Sequence, residues 1–206
     1  ILGSGWYDCH TPAEWHFDRA PWRGIPKLLA QLEVEYDDGT REVIATDNSW
    51  KRSTGPITYD SIYGGENYDA RLEKNGWDTA GYDDSRWQSV NVMEAPKGKL
   101  AAQEMPPIRI TQIIKPVKVT EPKPGVFVFD MGQNFAGVPE LSVSGLAGAT
   151  VIMRCGERLH PDGNLDADDI GTFVKRHGTW QQFQEDHYTL KGGGTETWHP
   201  RFTYHG

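Results

Sequence analysis

The chain has 206 residues, enough for one large β domain or two small ones, with 29 acidic against 21 basic residues and a formal net charge of −8. That balance, without any Lys/Arg cluster, argues against nucleic acid as a partner, and no apolar run approaches the ~20 residues of a membrane-spanning helix. Eight Trp, 23 Gly and 13 Pro favour short strands between tight turns over packed helices.

No signal peptide is visible at the start. Ile1 to Tyr7 reads as the end of a strand or a turn, where a domain would not normally begin. From Leu28 the chain alternates: Leu32, Val34 and Tyr36 share one face, and Gln31, Glu33 and Glu35 the other. Asp37-Asp38-Gly39-Thr40 is a hairpin turn, and Arg41 to Thr46 returns as the second strand. Asp47-Asn48-Ser49 turns the chain into Trp50. Thr54 to Arg71, with four Gly and Pro residues among Tyr59, Tyr63 and Tyr68, reads as loop with short extended pieces. Asn75 to Trp87 reads as a compact loop pinned by aromatic rings, leading into a strand from Gln88 to Val92.

A joint is expected between Met93 and Pro107, where Pro96, Gly98, Pro106 and Pro107 cluster. Beyond it, Ile108 to Ile114, Val117 to Thr120, Val126 to Phe129, Leu141 to Val143 and Thr150 to Arg154 are strand-like, each bounded by turn residues. Leu159 to Glu185 is a polar excursion, read as a short helix or an extended loop. His187 to Leu190, the Lys191-Gly192-Gly193-Gly194 turn and Thr195 to Pro200 read as a hairpin. Two cysteines, Cys9 and Cys155, make no disulfide framework and read as unrelated small core residues.

Several phrases in fixed order resemble one family. They include Leu29-Ala30-Gln31-Leu32-Glu33, Asp47-Asn48-Ser49-Trp50-Lys51 and Tyr63-Gly64-Gly65-Glu66-Asn67-Tyr68-Asp69-Ala70-Arg71. In the second half come Phe129-Asp130-Met131-Gly132-Gln133-Asn134, Gly156-Glu157-Arg158-Leu159 and Trp198-His199-Pro200-Arg201-Phe202-Thr203-Tyr204-His205-Gly206. Together these resemble the N-terminal part of bacterial α-L-rhamnosidases (glycoside hydrolase family 78). The resemblance implies an all-β chain, a jelly-roll (galactose-binding-like) β-sandwich over 1–100 followed by a second, concanavalin-like antiparallel β-sandwich over 106–206. It implies that the first lacks its opening strands and the second its closing ones, with the catalytic helical barrel further C-terminal. The excursion from Asp162 to Glu185 looks longer than the family's.

Glycoside hydrolysis needs two carboxylates flanking the scissile bond. The resemblance puts the family's pair in that barrel, so no catalytic residue is assigned here. Glu66 and Asp69 read as structural, accepting backbone N–H bonds or pairing with Arg71, and Glu157 as a strand-end carboxylate. Trp77 and Trp87, around Asp83-Asp84-Ser85, read as core rings beneath a capped turn. Asp162-Gly163-Asn164-Leu165-Asp166-Ala167-Asp168 only partly imitates a calcium loop, since Ala167 and Phe173 stand where Gly and a bidentate Glu are needed, and it reads as a solvated turn. His10 and His16, flanking Glu14 and Trp15, read as surface histidines, and Gly192-Gly193-Gly194 as a turn rather than a phosphate loop.

The function expected is therefore an accessory one: a non-catalytic β portion packing on the catalytic barrel of an α-L-rhamnosidase. The alternative is a carbohydrate-binding module for L-rhamnose or a related sugar. Its nominated substrate-binding residues are Asp47, Asn48 and Asn91. No cofactor is expected for the accessory role. The binding alternative would call on Ca²⁺, held by Asp and Asn oxygens and by sugar hydroxyls, as in relatives with a calcium-assisted rhamnose site. An autonomous enzyme is the third reading.

Overall fold

The computed structural model describes residues 1–9, 17, 20–95, 97–99, 101–167, 170, 175–176, 179–180 and 182–206. Among them no α-helix forms; strands alternate with turns, as the turn-rich, aromatic composition leads one to expect. His10, Glu14, Trp15 and His16 lie outside the described residues, as do parts of the polar excursion, including Asp168 and Phe173.

The first hairpin follows the alternation. Strands β1 (Gln31–Glu35) and β2 (Arg41–Ala45) pair antiparallel with Leu32 opposite Ile44 and Val34 opposite Glu42. Its turn is closed by Asp38, whose Oδ1 accepts from the N–H of Thr40 at 2.9 Å, and by Gly39 at φ +81°, which an L side chain adopts only with strain. After the Asp47 turn, β3 (Lys51–Arg52) pairs antiparallel with β6 (Gln88–Ser89), so the predicted strand from Gln88 to Val92 is shorter than expected.

The stretch read as loop holds two central strands. β4 (Ile57–Ser61) and β5 (Gly65–Asp69) form a hairpin with a bulge between Ile57 and Tyr59. β5 then runs parallel to β15 (Glu185–Thr189), placing Asn67, Tyr68 and Asp69 opposite His187, Tyr188 and Thr189. β15 in turn pairs antiparallel with β10 (Thr150–Arg154). The resulting sheet, β10-β15-β5-β4, is built from both sides of the expected joint. His187 to Pro200 is not a hairpin: β16 (Thr195–Trp198) pairs instead with β9 (Leu141–Ser144). The glycine turn thus carries the chain from one layer to the other.

The core lies between these layers. Tyr68, Ala70, Tyr188, Leu190 and Trp198 are buried, with Ile57, Leu141, Val143, Val151 and Met153 packed around them. Ring centroids of Tyr68, Tyr188 and Trp198 lie 5.1–5.8 Å from one another. Both tyrosine hydroxyls find carboxylates, Tyr68 on Glu73 at 3.0 Å and Tyr188 on Glu196 at 2.8 Å, so the rings are buried without stranding their polar ends.

Other elements carry apolar residues into the open. β7 (Lys118–Lys123) and β8 (Val126–Asp130) pair with each other, yet Val119, Phe127 and Phe129 each remain more than half exposed. Ile108, Ile110 and Ile113 are 78–89% exposed, and no strand forms at 108–114. An isoleucine-rich run there does not by itself specify a ladder partner. The polar excursion contributes short pairs, β11 (Arg158–Leu159) with β12 (Leu165–Asp166) and β13 (Lys175–Arg176) with β14 (Thr179–Trp180), and no helix among its described residues. The accessible surface is 15566 Å², against about 9,700 Å² for a compact monomer of 23.2 kDa. Cys9 is exposed rather than core, and Cys155 is half-buried.

Candidate functional site

The nominated residues lie where two short strands end. Asp47 follows β2 and its Oδ1 accepts from Ser49, from the backbone N–H at 2.8 Å and from Oγ at 2.5 Å. The Ser49 hydroxyl, then its N–H, holds the Asp47 carboxyl below the usual carboxylate range. Trp50 Nε1 donates to the carbonyl of Ala45 at 3.1 Å, fixing the ring across the turn. The N–H of Val90 donates to the carbonyl of Trp50 at 3.2 Å, extending the β3–β6 pair by one rung. Asn91 is the next residue along the chain from this rung. All three nominees are exposed.

The neighbouring loop is tied to the same end. Lys51 Nζ meets Asp84 Oδ1 at 2.7 Å, and Asp83 Oδ1 accepts from the N–H of Ser85 at 3.0 Å. Trp87 packs edge-on against Tyr82 at 5.8 Å. Trp77, expected in the core, is 47% exposed. The Asp47–Asn48 turn presents one carboxylate and one amide beside the part-open ring of Trp50, with Asp47 Oδ1 engaged by Ser49. Hard oxygen donors of this kind suit Ca²⁺ and sugar hydroxyls. Among the described residues no group of three or more His, Cys, Asp or Glu side chains could hold a metal, so an ion here would rest on amide, carbonyl or sugar oxygens beside Asp47.

A second cluster is buried. Asp60 on β4 stands opposite Glu66 on β5, and the N–H of Glu66 donates to Asp186 Oδ1 on β15 at 2.8 Å. Exposure is 8% for Asp60 and nil for Glu66 and Asp186. Glu66 Oε2 accepts from the N–H groups of Arg201 and Phe202 at 2.9 and 3.2 Å, so the expected structural role as a backbone acceptor is what the structure has. His205 Nε2 lies 2.9 Å from Asp186 Oδ2. Asp186 and His205 were not singled out by the sequence reading. The signal available was the period-2 register itself, which puts Asp186 on the same face as Tyr188 and Leu190.

On the opposite face of the same sheet, Thr58, Asn67, Asp69, Thr150, His187 and Thr189 line a shallow cavity of about 240 Å³. Its groups largely satisfy one another. Asp69 pairs with Arg71 at 2.7 Å, Thr150 with Thr189 at 2.9 Å, and His187 with Glu185 at 2.6 Å.

Comparison with known proteins matches the chain in two successive parts. The model of the α-L-rhamnosidase N-terminal domain matches residues 1–112, and that of the bacterial α-L-rhamnosidase concanavalin-like domain matches residues 120–206. The chain belongs to the bacterial α-L-rhamnosidase family. It is 46% identical over 183 residues to an α-L-rhamnosidase of Streptomyces avermitilis, covering 88% of this chain and 17% of that protein. An α-L-rhamnosidase of Formosa agariphila is 36% identical over 210 residues, with 21% of its length covered. The crystal structure of the Streptomyces avermitilis enzyme complexed with L-rhamnose superposes with a TM-score of 0.86 at 44% identity, covering 98% of this chain and 19% of that one. The chain thus spans about a fifth of the length of the rhamnosidases it matches. In this family's terms, β4 and β5 fall in the N-terminal match and β10 and β15 in the concanavalin-like match, and the four strands form one sheet.

Proposed function

We propose that residues 1–206 are the non-catalytic β portion of an α-L-rhamnosidase, and that they pack against and support its catalytic domain. The intact protein would hydrolyse terminal, non-reducing α-L-rhamnose residues. One observation carries this reading: the chain matches two named β domains of rhamnosidases in succession while leaving large apolar side chains such as Phe127 and Phe129 uncovered on paired strands. Such faces are what a sandwich presents to a neighbouring layer or domain. The test is hydrogen exchange of the β7–β8 amides in this chain alone and in the same chain joined to a rhamnosidase catalytic domain. Strong added protection supports the reading, and unchanged exchange rejects it.

A second reading has its own support. The β3–β6 pairing holds Val90, the residue before Asn91, on Trp50, which closely follows the Asp47–Asn48 turn, and the Trp50 ring is part-open. Planar stacking with convergent oxygens is the composition of a sugar subsite. We assign to this end of the first domain the binding of an L-rhamnosyl group with Ca²⁺. Calorimetric titration with L-rhamnose, with and without Ca²⁺, tests it.

A further inference from the structure

Strands β4, β5 and β15 carry three carboxylates side by side. Asp60 is paired with Glu66 across β4–β5, and Glu66 precedes the Asn67–His187 pair by one residue, as does Asp186. Three charges on one rung, at 8%, 0% and 0% exposure, cannot all be carried without a large desolvation and repulsion cost. The hydrogen bonds distribute unevenly over them. Asp60 Oδ1 accepts from the N–H of Ser4 at 2.6 Å. Asp186 is bonded through both oxygens, to the N–H of Glu66 and to His205. Glu66 uses only Oε2; its Oε1 is buried with no partner, an arrangement a neutral carboxyl tolerates far better than a carboxylate.

We propose that Asp60, Glu66 and Asp186, closed by His205, form a proton-dependent join between the two halves of the chain, with the rung's proton resident on Glu66. The partners come from every side: Ser4 from the N-terminal segment, Asp60 from β4, Asp186 from β15, and Arg201, Phe202 and His205 from the C-terminal segment. Ionisable groups acting on Glu66 are Asp60 and Asp186, with Tyr68 two residues along β5, while His205 meets Asp186. Cys155 lies beyond Asp186, its thiol pushed up to about 12 by burial and by that charge. Arg201 offers Glu66 its backbone N–H. Glu185 and His187 point to the opposite face of the sheet.

Burial, opposed by the Arg201 and Phe202 N–H groups and aided by the charges of Asp186 and Asp60, raises the Glu66 carboxyl above its ordinary range. A group raised on folding binds its proton more tightly in the native state. Its stabilisation is complete below the ordinary carboxylate range and is lost as pH rises through the raised value. The join is therefore tightest in acid and loosens as pH rises through the raised value.

The experiment is infrared spectroscopy and thermal unfolding of the intact protein against pH. The expected results are a protonated-carboxyl band that persists above the ordinary carboxylate range and is missing in Glu66→Gln. The unfolding midpoint should rise by about 2–4 °C as pH falls through the raised Glu66 value in wild type, and not in Glu66→Gln. A band that vanishes within the ordinary carboxylate range, or that survives Glu66→Gln, overturns the proposal. So does the same pH profile in both proteins. Should Glu66→Gln not fold, Asp60→Asn serves. Removing that charge is expected to shift loss of the band to lower pH, and an unmoved band overturns the proposal.

Discussion

Gly65 of β5 lies so close to the carbonyl of Glu185 at the start of β15 that no side chain fits between them. Its φ of +119° is also one that L residues rarely adopt. The parallel β5–β15 pair, and with it the sheet that unites the two halves, depends on this absence. Gly65→Ala is expected to destabilise the chain by about 2–3 kcal/mol through overlap and backbone strain together. Denaturant unfolding measures it. A change within about 0.5 kcal/mol would mean the strands can separate locally at no cost.

The aromatic core should be equally sensitive from both halves. Leu190 is 1% exposed and packs with Tyr68, Tyr188 and Trp198. Leu190→Ala is expected to cost about 2–5 kcal/mol by lost burial and a residual cavity. Because Tyr68 comes from the first half and Leu190 from the second, both halves should lose structure in one transition. Two separate transitions in a calorimetric scan would contradict this.

Acid should act on Glu185 in the opposite sense from Glu66. Burial works to raise the Glu185 carboxyl, but Arg154 and His187 outweigh it and hold it below its ordinary range. The stabilisation is present above the ordinary carboxylate range and is lost as pH falls through the depressed value. Glu185→Gln should therefore flatten the loss of stability below about pH 4 and leave intact the rise as pH falls through the raised Glu66 value. Unfolding midpoints across that range, compared with wild type, are the check.

For the sugar site, Asp47→Ala and Asn48→Ala should each abolish the heat of L-rhamnose binding in the presence of Ca²⁺, with little effect on stability because both side chains are exposed. Heat that persists in both variants would reject these residues. No heat from wild type under any condition would leave only the supporting role.

These elements differ in how far their own sequence announces them. The β1–β2 hairpin is legible because Leu32, Val34 and Tyr36 alternate up to an Asp-Gly turn, and both partners are local. β4 and β5 are not, because glycines and a bulge break their pattern and the partner of β5 is more than 100 residues away. Ile108 to Ile114 shows the converse: an isoleucine-rich, strand-like run forms no strand. Thr195 to Trp198 follows a glycine turn, which suggested a hairpin, yet Trp198 belongs with Leu141 in the other layer. At the site, Asp47 and Asn48 are marked by their turn, whereas the pairing of Val90 with Trp50 beside it rests on a two-residue strand pair with a distant partner. Asp186 looks like any polar strand residue until its face is shared with Tyr188.

The proposed role, supporting a rhamnosidase's catalytic domain without performing its chemistry, is tested most directly by release of the chromophore from an aryl α-L-rhamnoside by the purified chain. The expected result is no turnover above the uncatalysed rate, with activity present when the same residues are joined to a rhamnosidase catalytic domain. Turnover by the chain alone, abolished by replacing one of its own carboxylates, would contradict it.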